Sequence, residues 1–444
     1  MYRSIYNELL DWKSSSNGKT ALLIEGARRI GKSYIAKYFA EKEYKSYIII
    51  DFAKLDDNLT KLFDAALIDL DSFFTSLSLI YKTKLHNRNS LIIFDEVQQF
   101  PKARQMIKYL VEDGRYDYIE TGSLLSIKTN VMDIVLPSEE ESIKMYPITF
   151  PEFLLAMGEE LKLEYMQDKF NKLEQLGEAV HRSIMKLFRE YLCVGGMPQA
   201  VVSYIDSKDF EKVDKIKRQI LKLYRNDIAK FALRYNKKVL SIFDEIPAQL
   251  SKHEKVFNLA SISKTARYRS YEDAFMWLDD AMIASPCYNV SDPNVGLRLS
   301  YNNAKMKMFM ADTGLLISHT FNDKTFMNNS LYKDILFKKL GINEGMIMEN
   351  IVAQMLKANK HNLFYYSKNR DEKSPAIDID FLINIDNKIS PIEVKSSNYI
   401  AHKSLDRFYE KFKNRLGKSY IIYTKDIKIV DKIVCLPVYL TCFL

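Results

Sequence analysis

Eight consecutive residues carry the clearest chemistry in the chain. Gly26-Ala27-Arg28-Arg29-Ile30-Gly31-Lys32-Ser33 fits the spacing G-x-x-x-x-G-K-[ST]. Glycines at both ends let backbone N–H groups curl around phosphate oxygens. A helix that opens where the loop closes adds a partial positive charge. In such a loop Lys32 reaches the β- and γ-phosphates of a nucleoside triphosphate, and the Ser33 hydroxyl ligates Mg²⁺. The segment Gly26, Ala27, Arg28, Arg29, Ile30, Gly31, Lys32 and Ser33 is therefore the expected binding segment for ATP with Mg²⁺. For Arg28 and Arg29, a phosphate contact by one of them and a plain surface position weigh equally.

A phosphate loop needs an acidic partner at the end of a neighbouring buried strand. Leu91-Ile92-Ile93-Phe94-Asp95-Glu96 supplies it. Asp95 would hold Mg²⁺ through water, and Glu96 would polarise the attacking water. Thr121-Gly122-Ser123 is a third polar strand end; it could touch the γ-phosphate or the water, or simply cap a turn. The expected catalytic residues are thus Lys32, Glu96 and Ser123, with Ser33 and Asp95 on the metal.

A second constellation lies far along the chain. Asp380, Glu393 and Lys395 sit on what read as two adjacent strands, and alternation places Glu393 and Lys395 on one face. Glu349, on a preceding helix, can add a carboxylate. Such a set can bind Mg²⁺ while the lysine orients water against a phosphodiester. A cross-strand salt bridge uses the same residues.

The elements that must position these groups follow from periodicity. Ala21–Glu25, Tyr47–Asp51, Leu91–Asp95 and Tyr116–Thr121 read as strands and Ser33–Glu41 as a helix. Near-continuous apolar runs predict strands buried on both faces: a parallel sheet flanked by helices, with ligands at the strand C-termini. From about residue 151 helical patterns dominate, as in Glu174–Tyr191 and Phe210–Phe231. Pro286–Val290 and Leu297–Tyr301 then read as a short hairpin, the pattern of a winged helix. After residue 331 the chain returns to α/β: helix Glu344–Lys357, strands Leu363–Tyr366, Ile379–Ile383 and Ser390–Lys395, a basic helix Leu405–Arg415, and strand Tyr420–Tyr423.

Composition bounds the rest. The 444 residues are 47% hydrophobic and 27% charged, with only 14 Gly and 11 Pro. That excludes collagen-like and largely disordered chains and allows two to four domains. No apolar run approaches the ~18 residues of a membrane span, and Met1–Glu8 lacks a signal-peptide core, so a cytoplasmic location and no membrane partner are expected. Cys193, Cys287, Cys435 and Cys442 form no CxxC and read as buried small apolar residues. The net charge is +8, and residues 331–444 hold 19 Lys+Arg against 13 Asp+Glu. This excess suits a polyanion, with nucleic acid as the expected partner, although a lysine-rich composition gives the same count.

The chain resembles the AAA-family ATPases of bacteria and archaea that carry a C-terminal domain of unknown function, over nearly its whole length. The marks are Glu25–Ser33, Ile93–Gln98, Thr121–Ser123, Tyr146–Leu154 (similar to the family's Pro-x-x-Phe-x-Glu-Phe segment), Tyr191–Pro198 (its Gly-Gly-x-Pro motif) and Phe309–Leu316. In related signalling ATPases a Gly-x-Pro lies in a helical lid near the nucleotide. The Phe309–Leu316 signature carries no chemistry that can be assigned from sequence. Leu136–Lys144 lacks the Gly-Arg pair that some members show, so no arginine is carried over from it. Many such ATPases take an arginine from a neighbouring copy, which would make the protein a homo-oligomer; Arg182, Arg189 and Arg225 are candidates. The C-terminal carboxylates resemble the PD-(D/E)xK signature of the restriction-endonuclease-like fold. The implied organisation is a P-loop ATPase core (1–155), a helical lid (156–250), a winged-helix-like region (251–330) and a nuclease-like α/β domain (331–444). The implied activity is Mg²⁺-dependent ATP hydrolysis coupled to nucleic acid, DNA foremost. An ATP-driven switch with little turnover and an ATP-gated nuclease are the alternatives.

Overall fold

The computed structural model describes residues 1–54, 57–66, 69–122, 137–252, 256–321, 327–336, 344–370, 375–396 and 402–444. The chain divides into two units. One is Met1–Tyr146 with Asp280–Met282; the other is Pro147–Asp279 with Ile283–Leu444.

In the first unit, α1 (Ile5–Ser16) leads into β1 (Ala21–Glu25), whose five residues are all buried. The other elements are α2 (Lys32–Glu43), β2 (Ser46–Asp51), α3 (Asp57–Ala66), α4 (Leu70–Ile80), β3 (Ser90–Asp95), α5 (Pro101–Asp113), β4 (Asp117–Gly122) and β5 (Glu140–Lys144). The sheet order is β2-β3-β4-β1-β5, and every pairing is parallel. Parallel strands need helices on both faces, which explains why β1, β3 and β4 are apolar runs rather than alternating ones. Ile48, Phe94, Ile107 and Tyr118 belong to one buried cluster. Strand β1 sits between β4 and β5, so the loop after it and the tip of β3 lie on the C-terminal edge of one sheet. Strand β5 was not expected. Its sequence, Glu-Glu-Ser-Ile-Lys, is that of an edge strand protected by charge. Arg104 of α5 holds it, donating to both Glu140 carboxylate oxygens at 2.6 and 2.9 Å.

The second unit begins with helices: α6 (Phe150–Ala156), α7 (Glu160–Lys172), α8 (Glu178–Val194), α9 (Pro198–Ser207), α10 (Phe210–Phe231), α11 (Asn236–Ser251) and α12 (Glu272–Asp280). Thr149 and Glu152 form a capping box that starts α6. Gly177, at φ 87°, sets the start of α8 later than the expected Glu174. Next come β6 (Ala284–Val290), β7 (Tyr301–Met310), α13 (Thr313–Thr320), α14 (Asn329–Leu336), α15 (Glu344–Ala358), β8 (Phe364–Lys368), β9 (Ile377–Ile385), β10 (Lys388–Val394), α16 (Lys403–Phe412), β11 (Ser419–Tyr423), β12 (Lys428–Val430) and β13 (Ile433–Pro437).

These strands form one sheet in the order β12-β13-β11-β10-β9-β8-β6-β7. This corrects the winged-helix expectation. Leu297–Leu299 is a 3₁₀ turn, and the second strand of the hairpin is Tyr301–Met310. The hairpin joins the C-terminal sheet: Tyr288 and Asn289 of β6 pair in parallel with Phe364 and Tyr365 of β8. The boundary expected between residues 330 and 331 is therefore crossed by backbone pairing. Six of the seven β6 residues are buried, which a solvent-edged wing would not allow. Among the described residues no helix is long and apolar enough to cross a membrane.

Candidate functional site

Glycine is required at the start of the phosphate loop. Gly26 has φ 159°, and a Cβ there would stand 2.6 Å from the Met145 carbonyl oxygen and 2.3 Å from the Ile30 side chain. Gly31, at φ 96°, turns the chain into α2. Lys32 is 8% exposed, and its Nζ donates to the carbonyls of Gly26 (2.9 Å) and Ala27 (3.0 Å). The ammonium is thus folded onto its own loop, bonded to neutral acceptors that a phosphate would outcompete. Arg3, also buried, donates to the Ile30 carbonyl at 2.9 Å and to the Tyr146 carbonyl at 2.5 Å. The sequence offered no signal for this bolt on the loop. Arg28 and Arg29 are exposed.

Asp95, at the end of β3, meets the first turn of α2. Ser33 Oγ donates to Asp95 Oδ1 at 2.7 Å, and the Thr121 hydroxyl donates to the same oxygen. The Glu96 N–H donates to Thr121 Oγ1 at 3.3 Å. Glu96 itself takes a left-handed backbone, φ 56°, uncommon for a residue with a Cβ. The Gln98 amide donates to its carboxylate. Register explains the meeting: Phe94 pairs with Glu120, so Asp95 and Thr121 are the next residues on neighbouring strands. A cation, a helix N-terminus and the hard oxygens of Ser33, Asp95 and Thr121 make a donor set suited to a triphosphate with Mg²⁺. Ser123 lies outside the described residues.

The two glycine-bearing signatures of the second unit turn out to be one joint. A Cβ on Gly314 would lie 2.5 Å from Gly195 Cα, and one on Gly196 would lie 2.3 Å from the Ile148 carbonyl oxygen. Asp312 accepts from the Gly196 N–H (2.5 Å) and caps α13 through the Leu315 N–H (2.8 Å). Ile148 belongs to the Tyr146–Leu154 segment, and its N–H donates to the Gly196 carbonyl at 2.7 Å. From α15, Gln354 binds Thr313 and Tyr191, and Asn350 binds Met310 and Thr313. Below the joint lies Lys217, 0% exposed, donating to the carbonyls of Cys193 (2.6 Å) and Gly314 (3.1 Å) and to the Tyr332 hydroxyl (2.8 Å). Burial pushes its pKa down to about 8.

The C-terminal carboxylates are neutralised from an unexpected direction. Lys307 of β7, absent from the sequence constellation, places Nζ 3.1 Å from Glu349 Oε2 and 4.0 Å from Asp380 Oδ1. Asp380 Oδ2 accepts the Val394 N–H at 2.8 Å. Lys395 donates to Glu393, as strand alternation implied. Burial, then the nearby Glu349, pushes the Asp380 carboxyl up to about 7, while Lys307 opposes the rise. Burial likewise raises Glu393. Among the described residues no group of three or more His, Cys, Asp or Glu is arranged to hold a metal ion. The one sequence signal for Lys307 is the alternation Lys305-Met306-Lys307-Met308, with the methionines buried.

Of the candidate arginines, Arg182 pairs with Glu178 and Arg225 with Asp244. Arg189 is half-buried and lines a groove described below. Cys193, Cys287 and Cys435 are buried free thiols, as expected; Cys442 is half-buried.

The parallel sheet with a glycine loop ahead of its first buried helix defines a P-loop α/β domain. Residues 18–154 match the AAA domain family, so the first unit carries an AAA-type P-loop ATPase fold. Residues 185–325 match a domain of unknown function, DUF8612, and residues 344–441 match another, DUF4143. No curated protein matches the chain. Among solved structures it is similar to the Walker-type ATPase PABY2304 of Pyrococcus abyssi, at 14% identity and a TM-score of 0.40, covering 72% of this chain and 95% of that one. It is also similar to the Thermotoga maritima RuvB Holliday junction branch migration motor, at 12% identity and a TM-score of 0.30, covering 64% and 89%. A third likeness is to Hsp104, at 13% identity and a TM-score of 0.29, covering 58% and 46%. Likenesses this low do not extend to substrate or partner.

Proposed function

We propose that the first unit binds ATP with Mg²⁺ and hydrolyses it, and that this cycle is coupled to a nucleic acid, DNA foremost. The observation that carries the reading is the Ser33–Asp95–Thr121 hydrogen-bonded joint beside the phosphate loop. In this reading Lys32 leaves the Gly26 and Ala27 carbonyls for the β- and γ-phosphates. Backbone N–H groups from Gly26 to Ser33 and the N-terminus of α2 hold the remaining phosphate charge. Mg²⁺, when bound by Ser33 and Asp95, neutralises charge that builds on the γ-phosphate. Glu96 accepts the proton of the attacking water. Ser123, outside the described residues, would add a hydroxyl toward the γ-phosphate or that water. The positive excess in residues 331–444 supports the nucleic-acid partner.

Steady-state ATP turnover tests the reading. Lys32→Ala is expected to lose turnover with ATP affinity. Glu96→Gln is expected to lose roughly 100-fold in turnover, the scale of a general base, while keeping affinity. Unchanged turnover in both variants refutes the assignment. A second reading, a nucleotide-driven switch with little turnover, draws on the Gln98 amide that occupies Glu96. Multiple-turnover kinetics together with light scattering, with and without nucleotide, separates the two.

A further inference from the structure

One groove of the second unit has no role in the reading above. It runs between α8 and the β11–β12 turn, and its volume is about 970 Å³. Arg182, Lys186 and Arg189 lie along α8 at i, i+4 and i+7, stepping ~6 and then ~4.5 Å along the axis. Lys425 and Lys428 face them from the turn. Lys186, Lys425 and Lys428 are exposed, and with Arg189 they make no ion pair with any described residue.

The groove's acids, by contrast, are mostly occupied. Asp426 accepts the N–H groups of Leu176 (3.0 Å), Gly177 (2.9 Å) and Ile427 (2.8 Å). Glu190 accepts the Tyr204 hydroxyl at 2.8 Å, and Glu178 pairs with Arg182. The Asp426 bonds also pin the start of α8 to the turn, so the two walls are fixed before any ligand arrives. His181 braces the floor, bonded to the Tyr439 hydroxyl (2.8 Å) and the Thr424 carbonyl (3.2 Å).

Beside the cation row is a mainly apolar slot of about 80 Å³, lined by Met185, Phe188, Leu192 and Met348, with Glu344 also in its lining. Met185 and Arg189 border both spaces. A lone anion calls for donors converging on one point. A row of separated cations with an apolar recess alongside suits a chain of phosphates that carries flat rings. A peptide of acidic residues alone, such as poly-glutamate, would satisfy the cations and leave the recess empty.

We propose that this groove binds single-stranded nucleic acid, its phosphates along Lys186, Arg189, Lys425 and Lys428 and a base in the recess. The proposal rests on the nucleic-acid part of the reading above and gives that partner a place.

The test is fluorescence anisotropy of the full chain with a labelled oligonucleotide of about 12 nucleotides, within the usual site-size range, over a salt series. Lys186→Glu with Lys425→Glu is expected to weaken binding at least tenfold. It is also expected to flatten the log–log salt slope by about two, one per lost phosphate contact. An equal charge change on the first unit, Lys42→Glu with Lys108→Glu, is expected to leave affinity within about twofold of wild type, as exposed sites away from the contact do. Oligonucleotide binding that survives the groove variant, falls equally in the control, or is displaced as well by poly-glutamate overturns the proposal. ATP turnover of the same proteins is read in parallel. Turnover without any oligonucleotide binding removes the partner and keeps the ATPase. Intact binding in the groove variant removes only the groove.

Discussion

Asp95 and Glu96 at the tip of β3, and Asp380 and Glu393 on β9 and β10, are the same two residue types on strands of the two units, in opposite surroundings. The first pair is fronted by hydroxyls: Ser33 and Thr121 both donate to Asp95. The second is fronted by ammonium groups: Lys307 lies against Glu349 and Asp380, and Lys395 binds Glu393. A hydroxyl leaves the carboxylate its negative charge and stays available as a ligand, so a divalent ion can enter. A lysine cancels that charge within the fold and fills the place a cation would take. Two carboxylates at strand ends do not define a chemistry; the group that neutralises them does.

The largest test of this contrast is Lys307→Met. Removing the ammonium strands two carboxylates, and the second unit should lose about 3–5 kcal/mol in urea denaturation. ATP affinity, measured by calorimetry on the folded protein, should not move. Millimolar Mn²⁺ should restore part of the variant's stability and none of the wild type's. Protection of both proteins alike would show that Lys307 is not the counter-charge.

A smaller effect is expected from Asp380→Asn. Because the folded protein raises this carboxyl to about 7, its neutral form is the favoured one. That contribution is complete below the unfolded value near 3.8 and is lost as pH climbs through 7. The wild type should therefore lose roughly 3–4 kcal/mol from this group between pH 4 and 8, and Asn should remove that slope. Parallel melting curves over this range would contradict the stated environment.

The smallest is Thr121→Val. The change removes the donor to Asp95 and the acceptor for Glu96 N–H, worth ~1 kcal/mol. Titration with Mg²⁺–ATP should show about fivefold weaker binding. Titration with ATP in EDTA should show less, since the hydroxyl acts through the metal-side carboxylate.

The first unit was largely legible because its information is local. A strand, six loop residues and a helix carry the phosphate site within Ala21–Glu43, and Asp95 closes another apolar run. Strand β5 escaped because Glu140, Glu141 and Lys144 hide an edge strand behind charge. In the second unit the decisive contacts join distant segments. Lys307 meets Glu349 and Asp380 only because β6 and β7 enter the C-terminal sheet beside β8, and no period in the sequence reports that pairing. The Gly-Gly-x-Pro and Asp-Thr-Gly motifs could each be seen, but that they face each other is a tertiary fact. Lys217 reads as one more solvent-facing lysine of a basic helix, although it is fully buried.

The meeting of Gly195 and Gly314 leaves no room for even a methyl group between two main chains. Helices α8 and α13 are consequently fused at a point with no cushioning side chain, and α15 clamps the same point through Asn350 and Gln354. The C-terminal end of α8, the helix that carries the basic row, is thus held where three helices meet without a spacer.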